Sequence, residues 1–206
     1  MKNSTLKNDV FNLIITGVGG QGNVMSSRII GNMMAQKGFF VTIGETFGAS
    51  QRGGSVMSHV RISSSATVSP QIPKGRAHMI VSLEPSETIR VLMDYGNPEV
   101  AVITNTRPTH PVGVISGMMA YPEPEEIRTW IQELSDQSWF FDATQMAVEI
   151  GHPIFSNIIM TGALAGTGVL PLDRSVFQRI MQTRFPESKV RSNLAAYDQG
   201  VKMTAV

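Results

Sequence analysis

Cysteine is absent from all 206 residues. Its absence excludes a disulfide, a Cys nucleophile and the thiolate ligands of an ordinary iron–sulfur cluster. Charge is scarce as well: charged residues make up 16% of the chain, the formal net charge is +1, and Lys and Arg gather nowhere into a cluster. Nucleic acid and an anionic membrane surface are therefore not expected as partners. No apolar run is long enough to span a bilayer, and Met1–Asn8 lacks the apolar core of a signal peptide. A cytoplasmic protein is expected. The four histidines, His59, His78, His110 and His152, are scattered without metal-ligand spacing and read as structural or surface residues. Also missing are G-x-x-x-x-G-K-[ST] for a nucleotide triphosphate and the G-x-S-x-G nucleophile elbow. Gly-Asp-Gly followed by an Asn pair, the usual mark of a thiamine diphosphate–magnesium site, is absent too.

What is present is the balance of a folded globular chain, with 42% hydrophobic residues. Val10–Thr16 is a short β-branched apolar run ended by glycine and reads as a buried strand. Val24–Lys37 carries apolar residues at helical spacing and stops at Gly38. Phe39–Ile43 reads as a second strand completing a βαβ unit, provided the two strands are parallel. The helix expected next is replaced by Glu45–Ser55, a glycine-rich loop, followed by a strand over Val56–Ile62. Further strands are expected over Ala77–Leu83, Glu99–Thr104 and Trp139–Asp142, with a short one over Val112–Ile115. Helices are expected from Glu84-Pro85 to Tyr95 and from Pro124 to Leu134. From Ala143 the pattern is helical, interrupted at Gly151–Pro153, Gly168–Pro171 and Pro186. Residues 1–206 thus read as a single Rossmann-like α/β domain with a mainly parallel sheet and a helical C-terminal third.

Two segments stand out as candidate sites. Gly17, Gly19 and Gly22, with Gly20 and Gln21 between them, fit G-x-G-x-x-G between a strand and a helix. Such glycines permit a tight turn and close approach of a phosphate to backbone, while the helix start offers free N–H groups to an anion. Glu45 follows the second strand, near where a ribose-binding acid would stand. The alternative is that the glycines only let helix and strand pack closely. In the second segment, Ser50, Gln51 and Arg52 precede Gly53 and Gly54, joining a fixed cation to amide dipoles and mobile backbone. That composition suits a carboxylate, a phosphate or a partner's backbone, although a solvated loop would look similar. Gly162 and Gly166, four apart, read by default as a close helix–helix contact.

Taken together, these residues resemble a known family. Gly17–Gly22 before a helix, Glu45-Thr-x-Gly-x-Ser-Gln-Arg-Gly-Gly54 and Ser55-Val-x-Ser-His-Val-Arg61 resemble the gamma-type domain of 2-oxoacid:ferredoxin oxidoreductases. So do Leu83-Glu84-Pro85, Asn105-Thr106 and the late Gly162–Pro171 segment. The free-standing form is similar to the small subunit of the indolepyruvate type. The resemblance implies an accessory subunit with no cofactor of its own. It also implies a larger alpha subunit that carries thiamine diphosphate, magnesium and 4Fe-4S clusters. That complex would decarboxylate an aryl pyruvate oxidatively, pass the acyl group to coenzyme A and reduce ferredoxin. The glycine loops would face the partner's active site or a coenzyme A phosphate. Position 47 is Phe, where relatives often carry His; Phe47 can stack but cannot move a proton, so no acid–base role falls to it. Two rival readings stand beside this one: an independent NAD(P)-binding oxidoreductase, and a non-catalytic binding or scaffold subunit.

Overall fold

A strand that is apolar on both faces has to lie inside a sheet covered on both sides, and β1 (Val10–Val18) does so. Its Phe11, Leu13 and Ile15 enter one core and Ile14 the other. The structure is a computed structural model that describes residue 6 and residues 9–47, 53–110 and 112–205. The other strands are β2 (Phe40–Phe47), β3 (Ser55–Ser63), β4 (Met79–Ser82), β5 (Ala101–Asn105) and β6 (Gln137–Phe141). They form one sheet in the order β2-β3-β1-β4-β5-β6. β1, β4, β5 and β6 pair in parallel, while β3 runs antiparallel to both β1 and β2. β2 consequently points the same way as β1 without touching it. The expected βαβ unit is present but spread by one strand, because the chain turns straight back after β2 and fills the gap with β3.

The helices are α1 (Asn23–Gln36), α2 (Pro85–Tyr95), α3 (Val112–Ile115), α4 (Pro124–Glu133), α5 (Ala143–Ile150), α6 (Ser156–Gly166), α7 (Arg174–Arg184) and α8 (Glu187–Thr204). Two segments differ from the sequence expectation. Glu45–Phe47 extends β2 instead of opening a loop, since each residue finds a β3 partner. Val112–Ile115 is a helical turn, not a strand. α1 covers one face of the sheet with Ile29, Ile30, Met33 and Met34; α2 and α4 cover the other with Val91, Leu92, Ile127 and Ile131. The connections after β1 and β4 therefore leave to opposite faces, and a crevice opens between the C-terminal ends of these two strands.

No described helix covers the second face at β2 and β3. The connection after β3 lies across it instead. Arg61 holds this strap, donating through Nε to Asn12 Oδ1 (3.0 Å) and through Nη1 to Ser69 O (2.9 Å). His59 accepts the Ile72 N–H through Nδ1 at 3.3 Å. Gly44 admits Pro70: a Cβ there would stand 3.1 Å from the proline ring.

α6 is buried nearly all round, between the sheet and α8, as its mostly apolar and uncharged sequence allows. Its glycines let the two backbones touch. A Cβ on Gly162 would strike Tyr197 O, one on Gly200 would strike Ile159 O, and one on Gly166 would strike Val201 O. Tyr197 completes the contact by stacking on Phe177 (centroids 4.3 Å apart) and donating its hydroxyl to Leu172 O at 2.6 Å.

Two outcomes follow. Gly162→Ala should cost about 2–3 kcal/mol, because only backbone could give way, and should lower the melting temperature by roughly 4–12 °C. The second concerns His59 and His78, each of which accepts a backbone N–H through Nδ1 and must be neutral to do so. Burial, reinforced by Arg61, holds the His59 pKa below the usual imidazole value; burial does the same for His78, with Arg76 adding to it and Glu99 opposing. A depressed imidazole pKa means that the unfolded chain binds more protons in acid. Stability is thus fully present above about pH 6.5 and declines as pH falls toward the folded values. Urea midpoints at pH 7.5 and 5.5 should show the loss, and a His59→Gln/His78→Gln double variant should show less of it.

Candidate functional site in the crevice between β1 and β4

Backbone conformation shapes the first wall. After β1 the chain makes a four-residue turn in which Gln21 N donates to Val18 O at 3.2 Å. Gly20 (φ 106°) and Gly22 (φ 92°) occupy the left-handed region, where a side chain would be strained. Gly17 has a different task. It lies within the strand, and a Cβ there would stand 2.5 Å from Gln21 Oε1 and 3.0 Å from Asn23 Oδ1. Gly22 leaves room for Asn157 at the start of α6, whose Nδ2 donates to Gly22 O at 3.5 Å.

Gln21 braces the crevice from inside. Its Oε1 accepts the Val18 N–H at 2.7 Å, and its Nε2 donates to Leu83 O at 2.9 Å and to Thr109 Oγ1 at 3.2 Å. Asn105 Nδ2 donates to the same Leu83 carbonyl at 3.0 Å. The amide of Gln21 is thereby engaged with the protein itself, and what the loop offers outward is backbone. α1 starts at Gly22 with no side-chain cap and no acid in its first turn. Its N-terminal partial positive charge is left uncompensated. Beneath Gly17, the buried Asn23 Oδ1 has no hydrogen-bond partner among the described residues.

The second glycine motif meets the first. Gly19 N donates to Gly54 O at 2.8 Å and Gly53 N to Gly19 O at 3.4 Å. The β1–β3 ladder, in which Gly17 faces Val56 and Val18 faces Ser55, thus runs on past the strand ends. Ser50, Gln51 and Arg52 lie outside the described residues. Glu45 stands apart from this junction. It pairs with Ser58 across the ladder, and its carboxylate lies 3.7 Å from Arg28 Nε. With β3 interposed, β2 is roughly 10 Å from β1 instead of the single strand spacing that a ribose-binding acid needs.

The third wall holds two buried carboxylates: Glu84, which the sequence marked as a helix start and part of the family resemblance, and Glu87, which it did not single out. Glu84, fully buried, caps α2: its carboxylate accepts Glu87 N (2.9 Å), Ser86 Oγ (2.6 Å) and the Tyr121 hydroxyl (2.6 Å). Glu87 accepts Ser55 Oγ at 2.6 Å and pairs with Arg90 at 2.7 Å. Burial and the Glu84 carboxylate push the Tyr121 phenol well above its usual range, so it remains a hydrogen-bond donor. Glu-Pro before an apolar helix was the signal for Glu84; nothing near Asn157 or Tyr121 in sequence pointed to this crevice. The paired glycine loops turn backbone groups outward beside the uncapped start of α1. With no cysteine, the chain has no thiolates to hold a 4Fe-4S cluster.

Comparison with known proteins gives the family and the fold. Residues 12–203 match the family model described as pyruvate ferredoxin/flavodoxin oxidoreductase. The chain is 36% identical over 193 residues to the indolepyruvate oxidoreductase subunit IorB of Pyrococcus horikoshii, covering 93% of this chain and 95% of that protein. In fold it is similar to the gamma subunit of a keto/oxoacid ferredoxin oxidoreductase from Geobacter sulfurreducens, with TM-score 0.67, 19% identity, and 94% and 98% of the two chains covered. It is also similar to a 2-oxoglutarate:ferredoxin oxidoreductase from Magnetococcus marinus, with TM-score 0.74 and 19% identity. That likeness covers 96% of this chain and 31% of the longer one.

The brace is open to test. Gln21→Ala strips the partner from the Val18 N–H and one donor from Leu83 O, which should cost about 1–2 kcal/mol. Hydrogen exchange should accelerate at the Val18 amide and stay unchanged in the α6–α8 pair.

Proposed function

The chain belongs to the pyruvate ferredoxin/flavodoxin oxidoreductase family, and from that premise we propose that it serves as the accessory subunit of a 2-oxoacid:ferredoxin oxidoreductase acting on an aryl pyruvate of the indolepyruvate kind. The larger alpha subunit would hold thiamine diphosphate, magnesium and the 4Fe-4S clusters. In the overall reaction the 2-oxoacid loses carbon dioxide, its acyl group passes to coenzyme A, and the two electrons released reduce ferredoxin. No described helix is long and apolar enough to cross a membrane, and a cytoplasmic complex is proposed.

The observation that carries the reading is the hydrogen-bonded junction of Gly19 with Gly53 and Gly54. It merges two motifs distant in sequence, Gly19 with Gly53 and Gly54, into one surface at the mouth of the crevice, backed by an uncapped helix start. That surface suits a partner's backbone or a coenzyme A phosphate at the subunit interface. Gly17, Gly19, Gly20, Gln21 and Gly22 would form its first half, and Ser50, Gln51, Arg52, Gly53 and Gly54 its second. Glu45 would support them from β2 through Arg28. The displacement of Glu45 from the ribose position weighs against an independent NAD(P) enzyme.

Co-expression with the cysteine-rich, thiamine-binding partner tests the proposal. The complex should reduce a viologen dye with indolepyruvate and coenzyme A, whereas the isolated chain should not. Arg52→Ala should lower subunit affinity or turnover at least tenfold, since an anion left unpaired at a buried interface costs roughly 2–5 kcal/mol. The melting temperature of the lone subunit should move by no more than roughly 2–4 °C. Lys at this position should rescue only partly, because an ammonium lacks the planar fork. Dye reduction by the isolated chain, or wild-type assembly and turnover by Arg52→Ala, would overturn the assignment.

A further inference from the structure

A cavity lies behind the third wall of the crevice, where the ends of β5 and β6 meet α4 and the start of α2. Its volume is about 190 Å³. At about 30 Å³ per water, that is room for roughly six waters or one small ring system. Its walls are mostly apolar: Ile127 and Ile131 from α4, Phe140 from β6, and Tyr121 from the segment that precedes α4. The Tyr121 ring is held in place from behind, because its hydroxyl is committed to the buried Glu84 carboxylate at 2.6 Å. Two aromatic walls, one of them anchored, favour a flat aromatic guest over an aliphatic one of equal size.

Charge at the mouth narrows the class further. Arg128 lines the cavity with its guanidinium 4.6 Å from the Phe140 ring centroid, and it forms no ion pair among the described residues. A guanidinium resting on an aromatic face keeps its N–H fork available for a carboxylate. Glu125 stands on the same rim; it disfavours a diffuse polyanion and leaves a single carboxylate directed at Arg128. We propose that this cavity is a binding site for a small aromatic monocarboxylate, with the ring between Tyr121 and Phe140 and the acid on Arg128. The inference needs no partner subunit, and the cavity shares only the Tyr121–Glu84 contact with the crevice described above.

Titration of the full chain with phenylacetate, followed by methyl NMR of the isoleucines, tests it. Saturable shifts are expected at Ile127 and Ile131, with none at Ile29 and Ile30 in the core on the opposite face of the sheet. The neutral isostere phenylacetamide should bind at least fivefold more weakly. Arg128→Gln, at an exposed position that leaves the fold intact, should weaken phenylacetate at least fivefold and phenylacetamide by less than twofold. Phe140→Leu should weaken both ligands. The site is refuted if neither isoleucine responds to phenylacetate, if acid and amide bind equally, or if Arg128→Gln affects both alike.

Discussion

The antiparallel ladder between β1 and β3 is the constraint on which the site depends. Without β3, β1 and β2 could pair directly, and a ribose-binding acid at the end of β2 would stand beside the glycine loop. With β3 wedged between them, that place is occupied by Gly53 and Gly54, bonded to Gly19 through backbone. A sheet edge that in a dinucleotide fold presents a carboxylate presents peptide groups here instead. The inserted strand also leaves part of one face beyond the reach of any described helix, and His59, Arg61 and Asn12 are spent on the strap that covers it.

Most of this architecture was legible in the sequence, and the failures share a cause. Local patterns located α1, α2 and α4 within a residue or two, because caps, prolines and apolar spacing act over one or two helical turns. Glu45–Phe47 looked like loop because its strand character comes from pairing with β3, not from its own composition. Val112–Ile115 looked like strand because four mostly β-branched residues carry no period long enough to separate the two states. Gly17 fitted its motif, yet its work is to admit Gln21, a contact made by a side chain four residues on. Asn157 contacts the same loop from 135 residues away, and no spacing rule reaches so far.

Among the described residues, the crevice is built almost wholly from uncharged groups. Side-chain amides of Gln21, Asn105 and Asn157 bind main-chain carbonyls around it, and the two carboxylates, Glu84 and Glu87, are turned inward to a helix start, a phenol and an arginine. Charge is held behind the walls, and the outward surface is left to backbone dipoles. The described part of this surface therefore offers shape and hydrogen-bond direction, and fixed positive charge is left to Arg52 in the proposed site.

The contact between α6 and α8 has a mechanical consequence. Side chains normally act as a compliant layer between helices, absorbing small displacements by changing rotamer. At Gly162, Gly166 and Gly200 that layer is missing, and main chain rests on main chain. The first turn of α6 meanwhile grips the glycine loop through Asn157, roughly 14 Å from Gly166 at 1.5 Å per residue. The two helices therefore form a stiff rod with one end in the crevice. A force on the far end of α8 would pass through main-chain contact into α6 and along it toward Gly22.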